Sequence, residues 1–159
     1  MHRKLKVTLP VAAIATILIS AMASANWTVK RIRGEKNQLR CILESEKEAL
    51  YDGYQDTEAF MRLDDKSLLV MTESNIDPNF SDVGLQVDEY GFIRMDKVSM
   101  EKRALFESEI ATIINQFKAG VTAKVQLRFW PTWPATKTYS VTFSLIGFRE
   151  AYAASLRCK

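Results

Sequence analysis

The sequence predicts an α+β domain: a mostly antiparallel β sandwich or partly open barrel, with one helix in its later half and a second at the C-terminus. Three observations predict it. "VTAKVQLRF" and "TYSVTFSL" alternate apolar and polar residues, giving each strand one wet face, as antiparallel sheets allow. In "ALFESEIATIINQFKAG" the period changes, with Phe106, Ile110, Ile113, Ile114 and Phe117 recurring at three and four, one face of a helix. After residue 25, no repeat, low-complexity tract or Gly/Ser linker divides the chain.

The elements follow in order. Residues 1–25 have a basic start (Arg3, Lys4, Lys6), a short apolar centre (Val11 to Met22) and a small-residue end (Ala23, Ser24, Ala25). That is the pattern of a cleaved secretory signal. The alternative is an uncleaved anchor, but a span needs about 20 predominantly apolar residues and this centre is shorter. Residues 26–159 then form a single β-rich domain of 134 residues, large enough to bury a core. "WTVKRI" and "LRCIL" open it as a part-alternating segment continued past Gly34, and "EKEALYDGYQD" reads as a polar connection around Gly53. "TEAFMRL" and "KSLLVMTES" make a hairpin turning at Asp64-Asp65, and "VGLQVDEYGFIRM" makes another turning at Asp88 to Gly91. Gly120 stops the first helix. Phe148, Ala151, Tyr152 and Ser155 line one face of the last one.

Charge and rare residues exclude more than they assign. The leader takes three of the 22 basic residues and none of the 19 acids, so the remaining chain is neutral. A nucleic-acid partner thereby loses its electrostatic basis. Residues 26–40 carry a charge of +4, residues 41–117 carry −10 and residues 118–159 carry +6, a dipolar distribution. The one histidine, His2, lies in the leader, which excludes histidine-dependent triads and histidine-ligated zinc from the exported chain. Cys41 and Cys158 read first as a disulfide in an oxidising compartment, against the alternative of two thiols. That bond would join the two basic ends, and the positive side so formed is either a solvated face or a surface for an anionic partner.

The chemistry-bearing candidates are few. In "RFWPTWPATK", Pro131 and Pro134 end the strands, and Trp130 and Trp133 either fold back as lids over an open sheet end or form an aromatic ledge. Flanked by Arg128 and Lys137, such a ledge suits a protein or glycan partner, because Trp and Arg are favoured at interface hot spots. Asp77, Asn79, Ser81 and Asp88 fall at positions of a calcium loop, but Asp82 stands where that loop requires glycine, and a turn explains the same residues. The acid pairs Asp64-Asp65 and Asp88-Glu89 coincide with predicted turns rather than with the facing carboxylates of a glycosidase. No metal, cofactor or catalytic residue is expected, and a membrane is expected to be met only through an uncleaved leader.

The tail "FKAGVTAKVQLRF…YSVTFSLIGFREAYAASL" resembles the closing region of the invasion-associated locus B family, small exported bacterial proteins. The match falls on Ser144, Leu145, Gly147, Phe148 and Ala151. "GLQVD" (Gly84 to Asp88) and the opening Trp27, Val29, Cys41 and Leu43 are similar too. The tail is also similar to that of a type VI secretion accessory family. The chain departs from the locus B pattern in lacking cysteines near Trp27 and before the helix, and in its long "WPTWPAT" link. The resemblance implies a periplasmic or secreted, non-enzymatic protein acting at the envelope or host surface, and it brings no catalytic residues. An envelope enzyme acting on glycan through carboxylates and an anchored subunit of a secretion assembly are the alternatives.

Overall fold

The computed structural model describes residues 26–33, 39–134 and 137–158; the predicted leader, Gly34 and the last residue lie outside the described residues. Among the described residues, eleven strands and two helices follow in the order β1 (Trp27–Arg33), β2 (Leu39–Ser45), β3 (Glu48–Tyr51), β4 (Asp56–Leu63), β5 (Leu68–Thr72), β6 (Gly84–Val87), β7 (Ile93–Arg94), β8 (Lys97–Ser99), β9 (Arg103–Phe106), α1 (Ile110–Ala119), β10 (Thr122–Leu127), β11 (Tyr139–Ser144) and α2 (Phe148–Leu156). They build two antiparallel sheets. The larger has the order β1-β2-β4-β5-β9-β8, with β3 also on β4, and the smaller has the order β11-β10-β6-β7. The architecture is an α+β sandwich, not a closed barrel.

Alternation decides which faces meet. Ala59, Met61 and Leu63 of β4, with Leu68 and Val70 of β5, face Leu85 and Val87 of β6, Ala123, Val125 and Leu127 of β10, and Val141 and Phe143 of β11, all buried. Each of these side chains larger than alanine contributes roughly 1.5–3 kcal/mol by leaving water. At the far end Trp27 packs edge-on against Phe148 at 5.0 Å, and its indole donates to the Ser144 carbonyl at 2.9 Å, tying β1 to β11. Phe117 of α1 completes this aromatic knot, 5.2 Å from Phe148. Cys41 and Cys158 are bonded, with Cα atoms 6.0 Å apart, within the usual disulfide span, and they fix the end of α2 to β2.

Both predicted hairpins form. Asp64 closes the first by accepting the amides of Lys66 and Ser67, and Gln86 steadies the second through the Tyr90 carbonyl. Gly120 ends α1 because the chain there passes close to β6: a Cβ would lie 2.5 Å from Val87 Cγ1.

Three expectations are corrected. Glu48–Tyr51, expected as a polar connection, is strand β3, paired with β4 from Glu48↔Ala59 to Tyr51↔Asp56. β2 and β3 run along the same edge of β4, interrupted where the Ser45 hydroxyl accepts the Met61 amide in place of a ladder bond. Phe106, placed on the helical face by its spacing, ends strand β9 instead, because Arg103–Phe106 pairs with both β5 and β8 and tertiary pairing overrides local period. Finally, "WTVKRI" and "LRCIL" are two strands facing each other, Arg31 opposite Cys41, rather than one segment continued past a glycine.

Candidate functional site

The loop between β10 and β11 is tied by backbone contacts to the β5–β6 loop and by the Tyr54 side chain to the β3–β4 turn. Phe129 bridges Ile76, the Arg128 carbonyl accepts from the Asp77 amide at 2.8 Å, and the Trp130 amide donates to the Asn75 carbonyl at 2.9 Å. Proline at 131 and 134 prevents further pairing, and both Trp–Pro peptide bonds are cis. The buried Thr132 turns inward, its hydroxyl donating to the Asp77 carboxylate, which also takes the Asn79 amide. From the other side, the Tyr54 hydroxyl reaches the carbonyls of Pro131 at 2.9 Å and Trp133 at 3.2 Å. The loop is thus held at both shoulders.

Its two tryptophans are not held. Trp130 is 52% exposed and Trp133 80%. The lid expectation fails on this count, because a side chain capping the sheet end would lose most of its surface to the core. Phe129, next to Trp130, and Tyr139, the first residue of β11, are buried instead. Tyr51 and Tyr54, each nearly half exposed, extend the aromatic surface from the β3–β4 turn. Sequence reading passed over both tyrosines. The signal was present in "LYDGYQ", two tyrosines around an Asp-Gly turn, where Asp52 accepts the amides of Tyr54 and Gln55.

The two cations have different surroundings. Arg128 lies over the Phe80 ring at 4.2 Å and grips Asp82 with Nε at 2.9 Å and a terminal nitrogen at 2.8 Å. That grip, with the Thr138 hydroxyl beside it, outweighs burial and holds the Asp82 carboxyl at about 2, below its ordinary 3.8. Arg128 and Asp82 therefore brace both strands that lead into the loop. Lys137 is exposed, its ammonium 5.4 Å from the centre of the Tyr139 ring.

Other sequence candidates occupy structural positions. Asp77 and Asp88, the ends of the calcium-like spacing, face different partners: Asp88 accepts the amides of Val121 and Thr122, which keeps its carboxyl below the usual range. Arg40 reaches Asp64 and Asp65 at 3.3 and 3.5 Å. Among the described residues no group of three or more His, Cys, Asp or Glu could hold a metal ion, and no helix is long and apolar enough to cross a membrane.

The fold and the loop together define a class: a two-sheet α+β sandwich in which a disulfide joins strand β2 to the segment after α2 and whose β10–β11 loop presents exposed aromatic side chains. A scan against protein-family models finds no match, and a search of curated proteins finds none either. Among solved structures the chain is similar to invasion associated protein b from Bartonella henselae, at 16% identity and a TM-score of 0.56, covering 84% of this chain and 92% of that one. The fold is that of this invasion-associated protein. The similarity of the tail to the type VI secretion accessory family has no counterpart in these findings.

Proposed function

We propose that the chain is an exported, non-enzymatic envelope protein that binds a protein or glycan partner through its β10–β11 loop, with a role in host interaction. The observation that carries the reading is the contrast between a backbone fixed by Asn75, Asp77 and Tyr54 and two tryptophans left largely in water. Large aromatic side chains on a rigid loop lose little entropy on binding. Together with the exposed Tyr51 and Tyr54 they gather aromatic surface at one end of the molecule, the kind of patch that marks an interaction site. Export is supported by the disulfide, which belongs to oxidising compartments, and by the fold shared with an invasion-associated protein. The absence of an enzymatic role is favoured by the engagement of the conspicuous carboxylates: Asp77, Asp88 and Asp96 each accept backbone amides.

The test is affinity capture from envelope extract with the wild-type protein and with Trp130→Ala, Trp133→Ala. The variant should lose the captured component while its melting temperature stays nearly unchanged. A collapsed melt would make the tryptophans part of the core and remove the site. Cell fractionation with N-terminal sequencing tests export, with Asn26 expected as the first residue.

A further inference from the structure

Both sheets end on consecutive strands. β7 closes the smaller sheet and β8 the larger, and residues 92–98, which form and join them, line one wall of a groove of about 900 Å³. The facing wall is α1 and its approach, at Ser108, Glu109, Thr112 and Gln116. Pro78 and Val98 are shared with the smaller cleft beneath Trp130, so the two hollows adjoin.

The edge of this groove has unused backbone groups. Arg94 stands opposite Gly84, and the next amide, Met95, donates to the Val83 carbonyl at 3.1 Å. In an antiparallel ladder this makes Arg94–Gly84 a non-hydrogen-bonded pair, so the Arg94 amide and carbonyl point away from β6, off the open edge. The facing wall has an unused acceptor as well. Gln116 Oε1 is buried without a hydrogen-bond partner, and buried polar atoms are normally paired, which suits it to an incoming N–H. Phe92 adds an apolar contact. It is 42% exposed and lies over Gly84, where a Cβ would come within 2.6 Å of the ring.

Charge selects the occupant. Asp96 and Glu109 line the groove, Glu101 lines the adjoining cleft, and Glu107 lies 3.5 Å from Lys97. Against these four acids stand Arg94 and Lys97. The groove belongs to the acidic middle third of the chain.

We infer that the groove between β7–β8 and α1 binds an extended polypeptide segment bearing lysine or arginine, which adds a strand at the Arg94 edge and donates to Gln116. This site is distinct from the tryptophan ledge: Trp130 lines only the adjoining cleft, and neither Trp130 nor Trp133 lines the groove itself.

The test titrates fluorescein-labelled (Lys-Val)5 and (Glu-Val)5 into the disulfide-bonded protein, followed by anisotropy and by amide exchange. The expected result is saturable binding of the basic peptide, about tenfold or more tighter than the acidic one, with exchange slowed at Arg94. Gln116→Leu, close to it in size, should weaken binding severalfold, and methylating the peptide's backbone nitrogens should abolish it. Equal affinity for the two peptides would overturn the inference. So would binding that survives both Gln116→Leu and methylation, and a loss confined to Trp130→Ala, Trp133→Ala would place the peptide on the loop instead.

Discussion

Replacing both cysteines, Cys41→Ser with Cys158→Ser, probes what closes this domain. The bond spans a sequence separation of 117 residues. In the chain-entropy treatment, releasing a loop of that size stabilises the unfolded ensemble by about 4.9 kcal/mol at 25 °C. With an unfolding entropy of roughly 2.1 cal/mol/K per residue, a domain of about 134 residues should melt roughly 17 °C lower. The folded state should change little, because α2 is held independently. Phe148 is fully buried against Trp27 and Phe117, and Ala151 is buried beside it. Equilibrium urea unfolding followed by tryptophan fluorescence, in which Trp27 is the indole that passes from core to water, should therefore show a single transition at a lower midpoint. Amide exchange in α2 should track global unfolding. A loss under about 1 kcal/mol would refute the entropic reasoning, since the loop length alone requires several times that. Early, separate exchange of α2 would refute the claim that packing holds the helix.

Three further outcomes follow from particular contacts. Phe148→Ala should cost about 3–5 kcal/mol, because the ring has no exposed surface and its three aromatic neighbours cannot close the cavity, as a urea titration would show. Met100 and Glu101 lie in the β8–β9 turn with φ of 49° and 62°, so Glu101→Gly should raise stability by up to about 1 kcal/mol in thermal melts; an unchanged or lower melting temperature would deny strain there. The Asp82 carboxyl titrates at about 2 in the folded chain against 3.8 when free, so its contribution is fully present above the unfolded value. That contribution should vanish as pH falls from about 4 to about 2, modestly because the side chain is 39% exposed, and Asp82→Asn should flatten the pH dependence of the melt in that window.

The parts of the fold that were legible are those where local pattern and tertiary demand agree. β10 and β11 alternate without interruption because one face of each lies on the core and the other in water. α1 shows its stripe because Ile113, Ile114 and Phe117 all turn inward. β3, β8 and β9 were illegible for identifiable reasons. β3 is four residues with a single buried side chain, Leu50. The β8–β9 hairpin turns through Met100, Glu101 and Lys102, and its two positive-φ positions carry methionine and glutamate, where such positions ordinarily advertise themselves with Asn or Gly. Phe106 happens to sit four residues before Ile110, so a strand end joined the helical stripe by coincidence of spacing.

The site was half legible for a related reason. Trp130, Trp133 and the two prolines announce an unusual loop in a single window of sequence. What fixes that loop comes from far along the chain: Tyr54 lies 79 residues from Trp133, and Asp77 lies 55 from Thr132. Single-sequence patterns carry no information about such pairs, so sequence alone could not decide between a lid and a ledge. The decision turned on Thr132, the small polar residue between the tryptophans. By taking the buried position at the Asp77 carboxylate, it anchors the loop with a hydroxyl and leaves both indoles outside. Thr132→Val keeps the shape but removes that hydrogen bond, leaving a buried carboxylate short of a donor at a cost of about 1–3 kcal/mol. If the hydroxyl is the anchor, this substitution should lower stability and weaken partner binding together, whereas the tryptophan substitutions weaken binding alone.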